Sequence, residues 1–398
     1  MALAVHGYKL PAVQGASLSR QPDWEWVDLS QIPHRADTRP NWLHFGVCEA
    51  NVALADKYGV ALFDADAAKE DADVAAQRRR AYLRLGAELG ASGDAICGIA
   101  CGEEHVVLFT ERGRAFGWGR NQYGEVGQGN TRPVESLQPI TATRHEGCTV
   151  KGVAAARSAS FFLVAEGPTG GTPTVLMACG LNKQGQLGLW RSERDCAEGK
   201  NEVVVQPRAV QLPLLGGEGL SSVASRSAHT LAVTDRGRIL AWGLNLQGQL
   251  GLGHTSEKEL PQSVGAFAST KVRQVSCGLC HSIALTNTGD VYTFGTLPNL
   301  PYPQPLPDVP DMQHKLPPFQ LPDHRASAAA ADHPAVAPAA AASSGAPFSV
   351  AKGPERVSGL PNSVCCVSAG STFSAALAAD GEGKAKLLVW GKQTGRSR

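Results

Sequence analysis

The stretch from Val223 to Gly253 decides the fold. It runs Val223-Ala-Ser-Arg-Ser-Ala-His229-Thr-Leu-Ala-Val-Thr234, turns at Gly237, and continues Ile239-Leu-Ala-Trp242-Gly-Leu-Asn-Leu-Gln-Gly-Gln-Leu-Gly-Leu-Gly253. Short apolar runs broken by glycine are too brief for helices and suit strands. The Asp-Arg-Gly tripeptide at Gly237 is a hairpin signal, and the glycines after Trp242 mark a tight loop.

The same order recurs along the chain. Ile99-Ala-Cys-Gly-Glu-Glu-His105, Ala154-Ala-Ala-Arg-Ser-Ala-Ser160, Val275-Ser-Cys-Gly-Leu-Cys-His281 and Val367-Ser-Ala-Gly-Ser-Thr-Phe373 align with it, and Phe45-Gly-Val-Cys-Glu-Ala-Asn51 is a weaker copy. The last column of these copies falls at 51, 105, 160, 229, 281 and 373. From His105 to Trp118, His229 to Trp242 and His281 to Phe294 the spacing is 13 each time, a register that chance does not keep. Each unit therefore reads as three strands with a kink and a hairpin, and a fourth strand comes from segments such as Leu137–Ile140 and Arg208–Leu212. One such sheet cannot cover both its faces, so neighbouring sheets must stack around an axis. The expected fold is all-β, a β-propeller with six recognisable repeat units in a single domain over residues 1–398.

A second motif joins third and fourth strands: Trp118-Gly-Arg-Asn-Gln-Tyr-Gly-Glu-Val-Gly-Gln-Gly129, Cys179-Gly-Leu-Asn-Lys-Gln-Gly-Gln-Leu-Gly188 and Trp242 to Gly253. With the anchor segments, this pattern resembles the regulator of chromosome condensation repeat over nearly the whole chain, from about residue 41. That family is typically seven-bladed, so the resemblance implies seven blades where the units alone leave six or seven open. A WD-repeat propeller fits less well, because the chain has no Trp-Asp dipeptide. The N-terminal Ala2–Gly7 and C-terminal Leu387-Leu-Val-Trp390-Gly391 each look like a third strand, as expected if the termini close the ring.

Two segments break the pattern. Residues 66–90, rich in alanine and charge, are expected to form a helical insertion, capped by Asp66, with Arg78, Arg79, Arg80 and Arg84 mostly solvated. Residues 296–360 hold nine prolines between Pro298 and Pro322 and eleven alanines between Ala326 and Ala342. That composition predicts a long, largely disordered insertion, with Pro318–Leu321 as a candidate outer strand.

The bulk numbers bound the function. In 398 residues the net charge is +1, so no global field draws the protein to nucleic acid or an anionic membrane. No apolar run reaches the length of a membrane span. Ten cysteines are present; Cys97, Cys101, Cys277, Cys365 and Cys366 lie in apolar runs, where cysteine serves as a small buried hydrophobe. Cys277 and Cys280 make a lone C-x-x-C without the second pair that zinc requires. The expected compartment is intracellular and reducing. Met1–Pro22 holds no acidic residue but lacks the arginine-rich pattern of a transit peptide, leaving mitochondrion against cytosol or nucleus open.

Neither a catalytic constellation nor a cofactor is expected. His105, His229 and His281 occupy one repeat column, so each belongs to its own blade and they cannot converge on a metal. The glycines after Trp118 lead from strand to strand, whereas a phosphate loop opens a helix. The expected function is a non-catalytic protein-binding scaffold or assembly component of a larger complex. The family resemblance implies two alternatives: a guanine nucleotide exchange factor for a small Ras-like GTPase, or a mitochondrial ribosome-associated or RNA-associated factor. Candidate partner contacts are Arg78, Arg79, Arg80 and Arg84, which could also touch RNA, and Trp190, Arg191, Glu193 and Asp195. The latter four lie in a loop after Gly188, whereas the family's exchange wedge interrupts the glycine motif.

Overall fold

The computed structural model describes residues 94–143, 148–166, 175–190, 202–214, 216–298, 348–370, 373–379 and 385–391, with short strands at 2–6, 24–28, 44–47, 51–55, 59–64, 83–84 and 304–305. The architecture is a β-propeller built of antiparallel sheets. Strands β1 (Ala2–His6) and β2 (Trp24–Asp28) form a two-stranded sheet. The first four-stranded sheet is β3 (His44–Val47), β4 (Asn51–Ala55), β5 (Gly59–Asp64) and β6 (Leu83–Arg84). The second is β7 (Ile96–Cys101), β8 (His105–Thr110), β9 (Ala115–Gly119) and β10 (Val134–Pro139), and the third β11 (Cys148–Ala156), β12 (Ala159–Glu166), β13 (Val175–Leu181) and β14 (Val203–Ala209). The fourth is β15 (Leu220–Ser225), β16 (His229–Thr234), β17 (Ile239–Gly243) and β18 (Lys258–Ser263).

The fifth sheet opens with β19 (Val272–Cys277), β20 (His281–Thr286) and β21 (Val291–Pro298). The chain then crosses to the sixth sheet as β22 (Gln304–Pro305) before β23 (Phe348–Arg356) returns as the fifth sheet's outer strand. The sixth sheet runs β24 (Val364–Ala369), β25 (Phe373–Ala379), β26 (Ala385–Gly391) and, outermost, β22. Every residue of β16 and β20 is buried, as in middle strands with a sheet against each face. The first strands of the second to sixth sheets share one device. Each slips register at its start, between Ile96 and Gly98, Val150 and Gly152, Leu220 and Ser222, Val272 and Gln274, and Val364 and Cys366. This bulge bends the strand and is the kink that the sequence implied.

Three expectations are corrected. The insertion does not occupy all of 296–360: Thr296–Pro298 completes β21 and Phe348–Arg356 is β23, paired from Tyr292↔Arg356 to Pro298↔Phe348. The inserted stretch is thus 299–347, within which Gln304–Pro305 supplies the outer strand of the sixth sheet; Pro318–Leu321 lies outside the described residues. Proline is tolerated at that position because an edge strand has no further partner to receive its missing N–H. Of the expected helical segment 66–90, Leu83–Arg84 is extended and pairs with Gly59–Val60, and the rest lies outside the described residues. The third unit is displaced by one residue: Ala159 pairs with Gly180 as His229 pairs with Gly243, so Ala159, not Ser160, stands in the anchor column. Among the described residues no helix is long and apolar enough to cross a membrane.

Sheets are joined by the glycine loops. The third glycine of each loop, Gly127, Gly188 and Gly251, has a φ of 70–77°, open to glycine at little cost. A Cβ at Gly188 would lie 2.9 Å from the Trp242 indole, and one at Gly251 would lie 2.9 Å from the Phe294 ring. Each loop is therefore a seat for the third-strand side chain of the next sheet: Cys179 on Gly127, Trp242 on Gly188, Phe294 on Gly251. All three seated side chains are fully buried. The indole N–H of Trp242 reaches back to the Gln186 carbonyl at 2.9 Å. Trp118 and Trp390, at the equivalent position of their own third strands, are only partly buried. The units before them lack the glycine motif, and Trp118 donates instead to Glu135 of its own sheet.

This difference is measurable. Trp242→Ala is expected to lower the unfolding free energy by ~3–5 kcal/mol, and Trp118→Ala by distinctly less. Equal losses in denaturant titrations would contradict the seat.

Candidate functional site

The three anchor histidines stand apart in three sheets and each performs the same structural task. His105 Nε2 lies 2.9 Å from Ser160 Oγ of the next sheet, His229 Nε2 3.0 Å from Ser282 Oγ, and His281 Nε2 3.0 Å from Ser374 Oγ. Ser160 Oγ donates to the Glu125 carbonyl at 2.7 Å and Ser282 Oγ to the Gln249 carbonyl at 2.8 Å. A hydroxyl has one proton to give, so at these two sites Nε2 carries the hydrogen and donates to the serine. Nδ1 of His105 and of His229 is then a bare, buried acceptor without a partner. Burial pushes the imidazoles down, to about 4 for His105, about 3 for His229 and about 4 for His281. In the third sheet, where the column holds Ala159, Thr230 Oγ1 donates directly to the Gln186 carbonyl at 2.8 Å.

The carbonyls sit in rigid loops. Asn245 is fully buried; its Nδ2 donates to His254 and Ser256 carbonyls and its Oδ1 accepts from Leu250 N. Asn121 does the same with Asn130, Arg132 and Val126, and Asn182 Oδ1 accepts from Leu187 N. Gln186 and Gln249 side chains accept from Gln184 N and Gln247 N. Glu125 replaces glutamine in the second unit and accepts from Tyr123 N at 2.6 Å; burial raises its carboxyl above the ordinary value.

On these loops the chain displays its apolar surface. Among the described residues three large hydrophobics are exposed: Trp190 (64%), Leu246 (62%) and Val203 (40%). Trp190 and Leu246 stand in the connections between third and fourth strands of the third and fourth sheets, and Val203 opens β14, where the first of these connections ends. Trp190 stands in the column held by Gly129 and Gly253 in the neighbouring loops. The first strands of the second to sixth sheets line an open space of about 290 Å³ with small residues such as Ala155, Ser225, Ser276 and Ala369. Among its lining residues Arg157 grips Glu103 with two nitrogens, at 2.9 and 2.8 Å, holding its carboxyl below the ordinary value. Arg120 lies between Glu103, Glu104 and Glu125 and stacks 5.5 Å over Tyr123.

Of the residues singled out from sequence, Trp190 is described and exposed. Arg191, Glu193, Asp195, Arg78, Arg79 and Arg80 lie outside the described residues, and Arg84 is placed only as backbone in β6. Sequence reasoning missed Leu246 and Val203. Leu246 was legible as an apolar residue at the position that Gln122 and Lys183 fill in the sister loops. No group of three or more His, Cys, Asp or Glu among the described residues could hold a metal ion.

Comparison with known proteins gives two family models, both described as the regulator of chromosome condensation (RCC1) repeat. One matches residues 112–163 and 236–285, the other residues 96–125 and 221–249. The chain is 32% identical over 280 residues to a secretion-regulating guanine nucleotide exchange factor of Mus musculus, covering 70% of this chain and 48% of that protein. It is 30% identical over 204 residues to the ultraviolet-B receptor of Arabidopsis thaliana, covering 51% of this chain and 42% of the receptor. The chain thus spans about half the length of these curated relatives. Among solved structures, human WBSCR16 superposes with a TM-score of 0.61 at 19% identity, covering 96% of this chain and 83% of that one. Prp20p from Saccharomyces cerevisiae does so with 0.60 at 20%, covering 87% and 71%. At such identities the likeness is one of fold.

The histidine latches make the stability acid-sensitive. Each folded pKa lies below the ordinary 6.5, so below that pH the unfolded chain binds protons that the native chain refuses. Stability is full above pH 6.5 and falls as pH drops toward 4, with a slope of up to about 4 kcal/mol per pH unit for three such groups. Urea titrations from pH 7.5 to 5 are expected to show this fall, and His105→Asn to reduce its slope by about a third. A flat profile would show that the histidines titrate normally.

Proposed function

The chain belongs to the regulator of chromosome condensation repeat family, and on that premise we propose that it is a non-catalytic platform for another protein, held at the rim of the third and fourth glycine loops. The observation carrying this reading is the confinement of Trp190, Val203 and Leu246 to that one rim. Exposed aromatic and aliphatic side chains on a rigid frame are the usual anchors of protein interfaces, since little entropy is lost when they are covered. The polar groups of the interior support it too: the anchor histidines, loop asparagines and loop carbonyls are already engaged in joining sheets. The near-neutral net charge favours a protein over a nucleic acid.

A second reading is nucleotide exchange on a small GTPase. It rests on the exchange factor named among the relatives and on Prp20p, whose structure is described with its binding properties to Gsp1p and histones. Exchange requires a shaped surface rather than side-chain chemistry, and Trp190 directly precedes Arg191, Glu193 and Asp195 in the sequence.

One pair of experiments separates the readings. Trp190→Ala with Leu246→Ala should leave stability within about 0.5 kcal/mol, because both side chains are exposed, and should abolish recovery of the proteins that co-purify with the wild type. Unchanged recovery would remove the rim from consideration. Stimulated nucleotide release from a small GTPase, lost on substituting Trp190, Glu193 and Asp195, would favour exchange over a scaffold alone.

A further inference from the structure

We propose that Cys365 and Cys366 form a vicinal dithiol site for soft, thiophilic ligands of the trivalent arsenical class. A regular strand sends successive side chains to opposite faces, so adjacent cysteines would point apart. β24 is not regular here. Val364 lies opposite Ala378 and Cys366 opposite Leu377, which leaves Cys365 as the extra residue of the bulge. Burial follows: Val364 is buried, Cys365 and Cys366 are both exposed, Val367 is buried, Ser368 is exposed and Ala369 is buried. The alternation breaks only at the two cysteines, and the bulge leaves both residues exposed.

Both sulfurs are held. Cys365 Sγ donates to the Leu377 carbonyl at 3.2 Å, and Gln274 Nε2 of the neighbouring sheet donates to Cys366 Sγ at 3.6 Å. Gln274 is itself fixed by Val367, its Nε2 donating to the carbonyl at 3.0 Å and its Oε1 accepting from the amide at 3.1 Å. The corresponding bulges of the second to fifth sheets carry Cys97-Gly98, Lys151-Gly152, Ser221-Ser222 and Arg273-Gln274, so among these bulges the thiol pair is peculiar to the sixth sheet. Cys277 and Cys280, the pair with a familiar spacing, cannot chelate together, because Cys277 is buried and Cys280 exposed.

The spacing also selects the chemistry. Adjacent Cα atoms lie about 3.8 Å apart, below the roughly 4.4–6.8 Å of ordinary disulfides, so direct closure makes a strained ring. A large soft atom between the sulfurs removes the need for that close approach, and thiolates prefer such partners. With a monosubstituted arsenic oxide, two As–S bonds form and two S–H bonds break. The oxygen leaves as water with both protons, and neither arsenic nor sulfur changes oxidation state.

The test uses the reduced full-length chain and phenylarsine oxide, followed by excess glutathione, which strips arsenic from single thiols but not from a chelating pair. Intact mass and thiol counting should show one retained phenylarsine and the loss of two thiols per chain. Cys365→Ser and Cys366→Ser, with unchanged circular dichroism, should each abolish retention, and Cys280→Ser should not. Mapping the arsenic-bearing peptide of the wild-type chain reads the same site without any substitution. Complete stripping by glutathione, retention in either serine variant, or recovery on another peptide would overturn the proposal.

Discussion

The backbone carbonyl at the tip of each glycine loop, from Glu125, Gln186 or Gln249, is where one sheet is fastened to the next. It accepts a hydroxyl from the following sheet, Ser160, Thr230 or Ser282, and at Gln186 also the Trp242 indole. A neutral hydrogen bond of this kind adds only about 1 kcal/mol net, yet leaving the buried carbonyl unpaired costs about 1–3 kcal/mol. The penalty, more than the gain, fixes the spacing of the sheets. Much else in the repeat serves that carbonyl: the buried asparagine shapes the loop, the third glycine lets the aromatic approach, and the histidine orients the hydroxyl.

The same logic explains where the pattern relaxes. The third sheet has alanine in the histidine column and compensates with the Thr230 hydroxyl and the Trp242 indole on one carbonyl. Trp118 and Trp390 follow units without a glycine loop and stay only partly buried. Burial of a repeat aromatic is therefore a property of two units, the one that carries it and the one before it.

Much of this was legible in the sequence. The hairpin glycines, the anchor columns and the 13-residue spacing to the aromatic specify strand order in the second, fourth and fifth units. The third unit was misplaced by one residue because Val153-Ala-Ala-Ala156 offers no internal register. Its longer hairpin between Glu166 and Val175 also removes the ruler that worked elsewhere. Strand β23 was hidden because 49 residues separate it from its partner β21. The exposure of Cys365 and Cys366 follows from a bulge, and a bulge is a statement about the partner strand that the residues themselves do not carry. Of the candidate site, Trp190 could be read from its break with the glycine column, whereas Leu246 and Val203 stand out only once burial is known. A rim of rigid loops presents these side chains already ordered, which is what an interface anchor requires.

The latch is tested most directly by a double-mutant cycle on His229 and Ser282, with unfolding free energies measured for the wild type, His229→Ala, Ser282→Ala and the double variant. A joint that links sheets through both side chains predicts a coupling energy of about 1 kcal/mol or more. Single losses that add to within about 0.3 kcal/mol would contradict it, showing that the two residues pack side by side without fastening one sheet to the other.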